Sequence, residues 1–303
     1  MILEYNRALE VVSNLLSENR LSIFAGSGIS IDSGLPSWDG LIDEYIALCE
    51  TINNAVPDSC KFDSIIQDAK NYKTKNIIDT ITALKEKIKF CQASGYNTDY
   101  YLDKLSSIFY SAHPNIYHEL IISTAYNQII TTNYDTLLEK ACEKLGYHNL
   151  LLKSFNYKAY KDISAAIYSK ETAIIHAHGK ITNINLDEFV LTKHDYINIM
   201  KHNIGFRYII NTIFITNSVL FVGYGGSDPH FEDIIDDLNL TLNWSEESSS
   251  LPKCYIMMKK DKATPIREFL NSSNRIDIIA FDDYPQMIEF LKELQTKFPR
   301  PKF

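Results

Sequence analysis

Two residues of this sequence have side chains suited to chemistry and follow apolar runs typical of strands. Asn133 lies in the segment TTNYD, and His178 lies in the segment HAHG. An asparagine amide donates and accepts hydrogen bonds, so it can hold a sugar hydroxyl or a water molecule. An imidazole titrates near neutral pH and can act as a general base. Considered singly, each residue also fits a purely structural role. A catalytic role for the pair therefore depends on the other segments of the sequence.

Two glycine-bearing segments provide the room that a nucleotide needs. Gly26 and Gly28 follow an apolar run, where glycines let the backbone approach a pyrophosphate closely. Residues 223–228, GYGGSD, follow another apolar run, and Asp228 could accept a hydrogen bond from a ribose hydroxyl. Structural explanations exist for both segments, because glycines make tight turns and an aspartate caps helices. The capping role is equally open to Asp135.

The cysteines and histidines do not form a pattern expected of a metal site. The cysteines are scattered without a CxxC pair, so neither a disulfide framework nor a cysteine zinc site fits them. His176 and His178 are predicted to project from the same face of a strand, but no third ligand stands at a suitable spacing. We therefore expect no metal. We expect reduced and mostly buried thiols at Cys49, Cys60, Cys91, Cys142 and Cys254.

The elements that must position these residues are strands and helices in alternation. Strands are predicted from apolar runs at residues 21–25, 127–131, 172–177, 218–222, 254–258 and 275–281. Helical patterns occupy residues 4–16, 135–145, 230–240 and 285–298. Because the apolar runs are continuous rather than alternating, both faces of the strands should be covered. The sequence therefore predicts an α/β fold with a doubly wound, Rossmann-like parallel sheet. Its ligand would lie beyond the carboxyl ends of the strands, where the polar segments fall.

Residues 52–112 interrupt this alternation, because they contain helical patterns without strands. We interpret this segment as a helical insertion that forms a lid or small lobe within one domain spanning residues 1–303. A second helical stretch, at residues 192–216, precedes the strand predicted from residue 218.

Composition and charge limit the class of protein and its partners. The 303 residues are 45% hydrophobic and 22% charged, a balance typical of a soluble globular chain. The net charge of −8 argues against direct binding to nucleic acid, because an acidic surface repels phosphate backbones. No apolar run is long enough to span a membrane, and the N-terminus lacks the features of a signal peptide. We therefore expect a cytoplasmic protein without membrane contacts.

Four segments, taken together and in this order, resemble the sirtuin family, and more closely its bacterial branch of NAD-consuming antiphage defence proteins. Residues 25–36, AGSGISIDSGLP, look like the family's GAGIS…SGIP segment. Residues 132–135, TNYD, match the branch's form of the sirtuin QNID motif, and residues 178–179 match the catalytic HG. Residues 223–228 resemble the branch's GYxxxD turn. The resemblance implies a sirtuin-like domain that binds NAD as its substrate.

The resemblance also implies a role for each segment. Asn133 would position a water or the ribose hydroxyls, and His178 would act as the base on a ribose hydroxyl. Asp135 would shape the nicotinamide and ribose pocket, and His176 would be a non-catalytic neighbour. The first glycine segment would hold the diphosphate, and the last would line the adenosine ribose. The residues expected to contact NAD beside the catalytic pair are Ala25, Gly26, Gly28, Ile29, Ser30, Pro36, Trp38, Thr132, Asp135, Gly223, Tyr224, Gly225, Ser227 and Asp228.

This sequence departs from the deacylating sirtuins in two ways. It lacks the four cysteines of their zinc ribbon, and residues 37–40, SWDG, stand where those proteins have DFR. An acyl-lysine substrate then has no visible platform, so water becomes the expected acceptor, and the expected products are nicotinamide and ADP-ribose. Cyclisation of ADP-ribose stays open as a variant. The alternatives are a module that senses NAD or ADP-ribose without cleaving it, and a zinc-free deacylase or ADP-ribosyltransferase.

The activity implied by the resemblance needs a gate, because uncontrolled cleavage of NAD would drain a cell of its cofactor. Residues 299–303, after the last predicted helix, leave little room for a sensor domain. We therefore expect gating by assembly of a homo-oligomer or by a separate protein partner, such as an ATPase or a nucleic-acid-guided protein. The insertion at residues 52–112 is the expected lid or assembly surface, although its apolar residues also fit an ordinary core.

Overall fold

Within the residues that the structure describes, the centre of the protein is an eight-stranded β-sheet in which all neighbouring strands are parallel. The computed structural model describes residues 1–72, 77–181, 193–224, 252–263 and 275–302. The strands are β1 (Ile2–Leu3), β2 (Leu21–Ala25), β3 (Ile129–Thr131), β4 (Ser154–Asn156), β5 (Ile174–His176), β6 (Ser218–Val222), β7 (Cys254–Lys259) and β8 (Ile276–Phe281).

The strands are arranged in the order β1-β8-β7-β6-β2-β3-β5-β4. β2 lies between β6 and β3, so the chain extends the sheet on one side of β2 before it returns to build the other side. The register aligns the strand ends, because Ala25 pairs with Thr131 and Val222, and Thr131 also pairs with His176. The segments that leave these four strands therefore start side by side, where sheets of this kind bind ligands. This arrangement confirms the predicted Rossmann-like α/β fold.

Helices cover both faces of the sheet. In the described residues they are α1 (Tyr5–Ser17), α2 (Trp38–Ala55), α3 (Asp63–Tyr72), α4 (Ile77–Ala93), α5 (Asp99–Tyr110), α6 (Ile116–Ser123), α7 (Leu137–Leu145), α8 (His148–Leu151), α9 (Tyr160–Tyr168), α10 (Lys193–His202), α11 (Ile204–Thr216) and α12 (Tyr284–Lys297). None of these helices is long and apolar enough to cross a membrane. Short 3-10 helices span Ser27–Ser33 and Asp58–Cys60.

Alternate residues of the central strands stabilise two separate core layers. In β2, Ile23 packs with residues of α1, α6, α7 and α12, whereas Phe24 packs with residues of α9, α10 and α11 on the opposite face. Each side chain buried in this way contributes about 1.5–3 kcal/mol. A strand covered on both faces needs apolar residues on each face, which explains the nearly continuous apolar runs in the sequence.

Helices α2 to α5 form a third apolar core, and this group is called the helical layer below. Tyr134 and Leu137, which follow β3, pack into the same core, so the helical layer lies against the segment that carries Asn133. The described residues between 52 and 112 form helices, but the layer begins earlier, at Trp38, because α2 contributes its buried face to it. The assignment of residues 52–112 as an insertion within one domain stays a prediction.

The sequence pattern misses β1 and β4, which form the two edges of the sheet. Each has only two or three residues, and β4 reads Ser-Phe-Asn, so pairing with a neighbouring strand defines it rather than any periodicity. Strands β3 and β5 are shorter than the runs predicted at residues 127–131 and 172–177. The stretch predicted at residues 192–216 is two helices, α10 and α11. The helix predicted at residues 230–240 lies outside the described residues.

Candidate functional site

Asn133 lies in the loop after β3, and hydrogen bonds hold its amide group in one orientation. Its Nδ2 donates to the carbonyl oxygen of Gly26 and to Oγ of Ser30, both at 3.2 Å. Its backbone N–H donates to Oγ1 of Thr131 at 3.0 Å. Its Oδ1 is buried and has no hydrogen-bond partner among the described residues. The side chain is therefore placed to accept a further hydrogen bond rather than to donate one.

Ser30 joins Asn133 to two further buried groups. Its Oγ donates to Oδ2 of Asp135 at 2.9 Å and lies 3.2 Å from Nε2 of His118. Burial lowers the pKa of His118 to about 3, so its ring is neutral near pH 7. Because the only proton of the Ser30 hydroxyl is used on Asp135, His118 must donate from Nε2 to Ser30.

The start of α6 agrees with this position of the proton on His118. Asn115 is the N-cap residue, and its backbone N–H donates to Nδ1 of His118 at 3.2 Å. A proton on Nε2 satisfies both this contact and the contact with Ser30. A proton on Nδ1 would satisfy only the contact at 3.0 Å with Oδ1 of Asn115, which already accepts from the N–H of Tyr117.

Asp135 makes two contacts, one at the start of α7 and one with Ser30 inside the site. Oδ1 accepts from the backbone N–H of Leu137 at 3.0 Å at the start of α7, and Oδ2 accepts from Ser30. Burial raises the pKa of Asp135, and the hydrogen bonds from Leu137 and Ser30 oppose that shift. Because Asp135 also lines the cavity around Asn133, its contact at the start of the helix does not remove it from the site.

His178 and Asn133 line the same cavity. His178 lies two residues beyond the end of β5 and is 3% exposed, and β5 is the neighbour of β3 in the sheet. The cavity has a volume of about 40 Å³. Its other lining residues are Ser27, Ser30, Leu35, Pro36, Ser37, Leu41, Phe109, Thr132, Tyr134 and Asp135. The strand order therefore brings the two residues predicted to be catalytic to one buried place.

His176 is fully buried and is not among the residues that line this cavity. β5 ends at this residue, so the alternation predicted to place both histidines on one face does not continue that far. Nδ1 lies 3.1 Å from the carbonyl oxygen of Asn133, and Nε2 lies 2.8 Å from Oε1 of Glu139. Burial by itself would raise the pKa of Glu139. The contacts with His176, Lys180 and Ser154 outweigh burial and lower this pKa to about 2.

The glycines after β2 and β6 let two loops pack backbone against backbone. The N–H of Gly26 donates to the carbonyl oxygen of Val222, and the N–H of Gly28 donates to that of Gly223, both at 2.9 Å. A Cβ added to Gly28 would lie 2.6 Å from the carbonyl oxygen of Gly223. Gly223 itself has a φ of +77°, in the left-handed region that favours glycine. These glycines are therefore needed for the contact between loops, and two of their N–H groups are engaged in it.

A larger pocket of about 320 Å³ lies beside these glycines. It shares Ser27 and Ser37 with the cavity around Asn133, so the two spaces adjoin. Tyr224 lines the larger pocket, and its hydroxyl lies 3.0 Å from Oγ1 of Thr132, which lines the smaller cavity. The other residues that line the larger pocket are Gly28, Ile29, Ile31, Asp32, Asp39, Tyr117, Val222, Gly223, Met257, Met258, Lys259, Lys262, Tyr284 and Met287.

The remaining residues predicted to contact NAD differ in their placement. Ala25 is buried at the end of β2, directly before the glycine loop, and Trp38 is the first residue of α2. Three predicted residues lie outside the described part of the chain: Gly225, Ser227 and Asp228.

A sequence model described as the SIR2-like domain matches residues 127–279, which is half of the chain and includes Asn133, His178 and Gly223. The chain belongs to the SIR2-like family. The sirtuin-like family predicted from the sequence motifs is thereby confirmed.

Known relatives of this SIR2-like chain are longer proteins. It is 23% identical over 309 residues to a NAD(+) hydrolase ThsA from Enterococcus faecium, covering 95% of this chain and 58% of that protein. It is 26% identical over 243 residues to Defense-associated sirtuin 2 from Bacillus subtilis, covering 79% and 21%. It is 27% identical over 228 residues to a NAD(+) hydrolase ThsA from Cytobacillus dafuensis, covering 75% and 40%. The chain thus spans between about a fifth and three fifths of the length of these relatives.

Two buried residues of this SIR2-like site were not predicted from the sequence. His118 stands three residues after Asn115, a spacing typical of a capping box, and Glu139 lies on the buried face of α7. A buried acid or histidine signals that a partner exists, because such groups are rarely buried without one. The identity of the partner is not visible in the sequence, since His118 and Ser30 are 88 residues apart.

The cysteines of this SIR2-like chain are all buried, as predicted. Burial raises the pKa of Cys142 to about 12, and it raises the pKa of Cys254 well above the usual range of a thiol. Among the described residues, no group of three or more His, Cys, Asp or Glu side chains is arranged to hold a metal ion.

Proposed function

We propose that this SIR2-like chain hydrolyses NAD between the nicotinamide and the ribose. The observation that carries the proposal is the placement of Asn133 and His178 in one buried cavity, next to a larger pocket beside the glycine loops. A hydrogen-bond acceptor and an imidazole base are the groups that this hydrolysis needs. The name NAD(+) hydrolase, which the relatives from Enterococcus faecium and Cytobacillus dafuensis carry, agrees with the assignment.

In the proposed reaction, the bond between C1′ of the ribose and the nicotinamide nitrogen breaks, and its electron pair leaves with neutral nicotinamide. A water oxygen bonds to C1′ and gives up one proton, so the products are nicotinamide, ADP-ribose and a proton. Oδ1 of Asn133 accepts a hydrogen bond from this water or from a ribose hydroxyl, and His178 acts as the base. Their burial keeps stray nucleophiles away from the oxocarbenium-like centre.

We assign the adenosine and the diphosphate of NAD to the larger pocket. Lys259 and Lys262 line this pocket together with Asp32 and Asp39, and the two ammonium groups are the cations that we assign to the diphosphate. Ile29, Tyr224 and Met258 offer apolar surface to the adenine ring. Ligand pockets typically have volumes of about 300–1,000 Å³, a range that includes this one.

The cavity around Asn133 and His178 must open before NAD can react there. Its volume of about 40 Å³ is far below that of typical ligand pockets. Phe109 of α5 and Leu41 of α2 line the cavity, so the helical layer closes it. We propose that a contact between copies of this chain, or a separate partner such as an ATPase or a nucleic-acid-guided protein, opens the site by moving these helices.

In a bacterial cell, the proposed role is depletion of NAD during phage infection, which aborts the infection. One relative is named a defense-associated sirtuin, which agrees with this role. A site that is closed at rest suits it, because an open site would consume the cofactor in healthy cells.

Incubation of the purified protein with NAD, over a range of protein concentrations, tests the proposed function. We expect nicotinamide and ADP-ribose in equal amounts when the products are separated by liquid chromatography. Cyclic ADP-ribose in place of ADP-ribose would identify a cyclase. Tight binding of ADP-ribose with NAD left intact would identify a sensing module, and NAD loss that requires an acylated or target protein would identify a deacylase or transferase.

A further inference from the structure

His176 is fully buried beside the candidate site and lines neither of its two pockets. Its Nδ1 lies 3.1 Å from the carbonyl oxygen of Asn133. The backbone N–H of Asn133 is held by Thr131, and its side-chain amide is held by Ser30 and Gly26. The contact with His176 completes this set, because it fixes the carbonyl group and links Asn133 itself to β5.

Both ring nitrogens of His176 face oxygen atoms that only accept hydrogen bonds. One is the carbonyl oxygen of Asn133, and the other is Oε1 of the Glu139 carboxylate, at 2.8 Å. A ring that donates from both nitrogens carries two protons and a positive charge. Glu139 supplies the matching negative charge, and its Oε1 also accepts from Lys180 and Ser154. A ring charged in this way would be paired inside the protein, as a buried charge requires.

We propose that His176 is a positioning residue for the hydrolysis of NAD, a role that rests on the proposed function. Its Nδ1–H holds the carbonyl group of Asn133 and thereby aims Oδ1 of Asn133 into the cavity. A neutral ring with its proton on Nε2 would keep the contact with Glu139, but it would present a lone pair to the carbonyl oxygen. The ion pair with Glu139 is thus what keeps a proton on Nδ1.

Two substitutions of His176 separate its two contacts. Asparagine places an amide nitrogen near the position of Nδ1 and keeps a donor for Asn133, whereas glutamine places one near Nε2 and keeps the contact with Glu139. We expect His176→Gln to lower kcat on the order of 10²-fold, the effect of a displacement of about 1 Å. Its KM should change by less than about threefold, because His176 does not line the pockets. His176→Asn should keep kcat within roughly tenfold of the wild type.

Thermal unfolding of both variants separates positioning from stability. We expect similar melting temperatures, so equal kcat values in the two variants, or kcat values that simply follow the melting temperature, would overturn the proposal. Ser154→Ala is the matched control, because it removes a contact of Glu139 but leaves the contact between His176 and Asn133. It should keep the kcat of the wild type.

A spectrum of the wild-type protein tests the same contact without turnover. Proton–nitrogen correlations of the histidine rings near pH 7, with the His176 signal assigned by its loss in His176→Asn, should show a proton on Nδ1 of His176. A ring without a proton on Nδ1 would overturn the proposal even if the protein hydrolyses NAD. A wild-type protein that never hydrolyses NAD would instead contradict the proposed function, and with it the catalytic purpose of His176.

Discussion

Ser30 is the residue on which the geometry of the site most depends. Its Oγ accepts from Asn133 and His118 and donates to Asp135, so one oxygen joins the loop after β3 to the starts of α6 and α7. A serine hydroxyl has one proton and two lone pairs, and all three are used here. Removal of this oxygen would leave three buried polar groups short of a partner.

Asn133→Ala and His178→Ala should each remove most of the hydrolysis of NAD. The first loses the acceptor for water or a ribose hydroxyl and the second loses the base, and each loss should cost roughly 10²–10⁴-fold in kcat. Product formation at saturating NAD measures both effects. His148→Ala, at an exposed histidine of α8, is the control and should behave as the wild type. An unchanged kcat in either site variant would exclude that residue from catalysis.

Ser30→Ala should lower the free energy of unfolding by about 1–3 kcal/mol, the usual cost of leaving buried polar groups unpaired. It should also lower kcat, because Asn133 loses one of its supports. Ser33→Ala is the matched control in the same 3-10 helix, since the Ser33 hydroxyl is buried with no partner among the described residues. It should change stability by less than about 0.5 kcal/mol. Urea unfolding of both variants measures these changes. Equal losses in the free energy of unfolding would argue against the hydrogen-bond network around Ser30.

Acid should destabilise the protein through His118. Burial lowers the pKa of His118 from 6.5 to about 3, so between these values the unfolded chain binds a proton that the folded chain does not. The free energy of unfolding should therefore be unaffected by His118 above pH 6.5 and should fall as the pH drops from 6.5 to 3. The slope from this group is at most about 1.4 kcal/mol per pH unit.

His118→Gln tests this origin of the acid sensitivity. The glutamine amide keeps a donor near the position of Nε2 for Ser30, but it does not titrate. Urea unfolding at several pH values should show a shallower decline in the variant than in the wild type. Parallel declines would assign the acid sensitivity to other groups.

The helices α2 and α5 determine how much space the cavity around Asn133 has. Phe109 of α5 is 6% exposed and lines the cavity, so any movement of α5 changes access to it. A partly buried ion pair of 2.8 Å between Lys85 of α4 and Asp195 joins the helical layer to α10. The layer is therefore held on the rest of the protein by a polar contact as well as by its apolar core.

Phe109→Leu should raise the hydrolysis of NAD by dilute protein, because a smaller side chain widens the cavity and favours its open state. It should lower the free energy of unfolding by roughly 1–2 kcal/mol, as expected for a buried side chain that loses volume. Phe62→Leu is the matched control, since Phe62 is buried in the same core but does not line the cavity. Initial rates and urea unfolding of both variants check this, and a rate increase in both would indicate general loosening instead of a gate.

The protein as a whole builds its site from segments that are far apart in the chain. Ser30 and Asp135 are 105 residues apart, and Thr132 and Tyr224 are 92 residues apart, yet each pair is in hydrogen-bond contact. The parallel sheet makes this possible, because strands β2, β3, β5 and β6 all end at the same side. The site therefore forms only when the sheet forms.

The specific activity of the whole protein should rise with its concentration if contacts between copies open the site. Initial rates over a wide range of protein concentrations, with the molar mass measured by light scattering at each, check this expectation. Activity should increase together with the fraction of assembled protein. Full and constant activity in a dilute monomer would contradict gating by assembly.

Local sequence patterns are sufficient for the strands of the core and for the family. The runs at residues 21–25 and 218–222 coincide with β2 and β6, because strands that are covered on both faces need apolar residues on each face. The motifs around Asn133 and His178 also identify the SIR2-like family. Short edge strands such as β4 escape the pattern, since pairing alone defines them.

The contacts that the site residues make depend on the three-dimensional arrangement of the chain. Only the folded chain shows that the amide nitrogen of Asn133 is already used and that its Oδ1 is buried with no hydrogen-bond partner among the described residues. It also shows that Gly28 lies in a contact between loops, and that His176 contacts the carbonyl oxygen of Asn133 instead of lining its cavity. The physical reason is that strand order and register set contacts between distant segments, whereas composition and periodicity report only on neighbours along the chain.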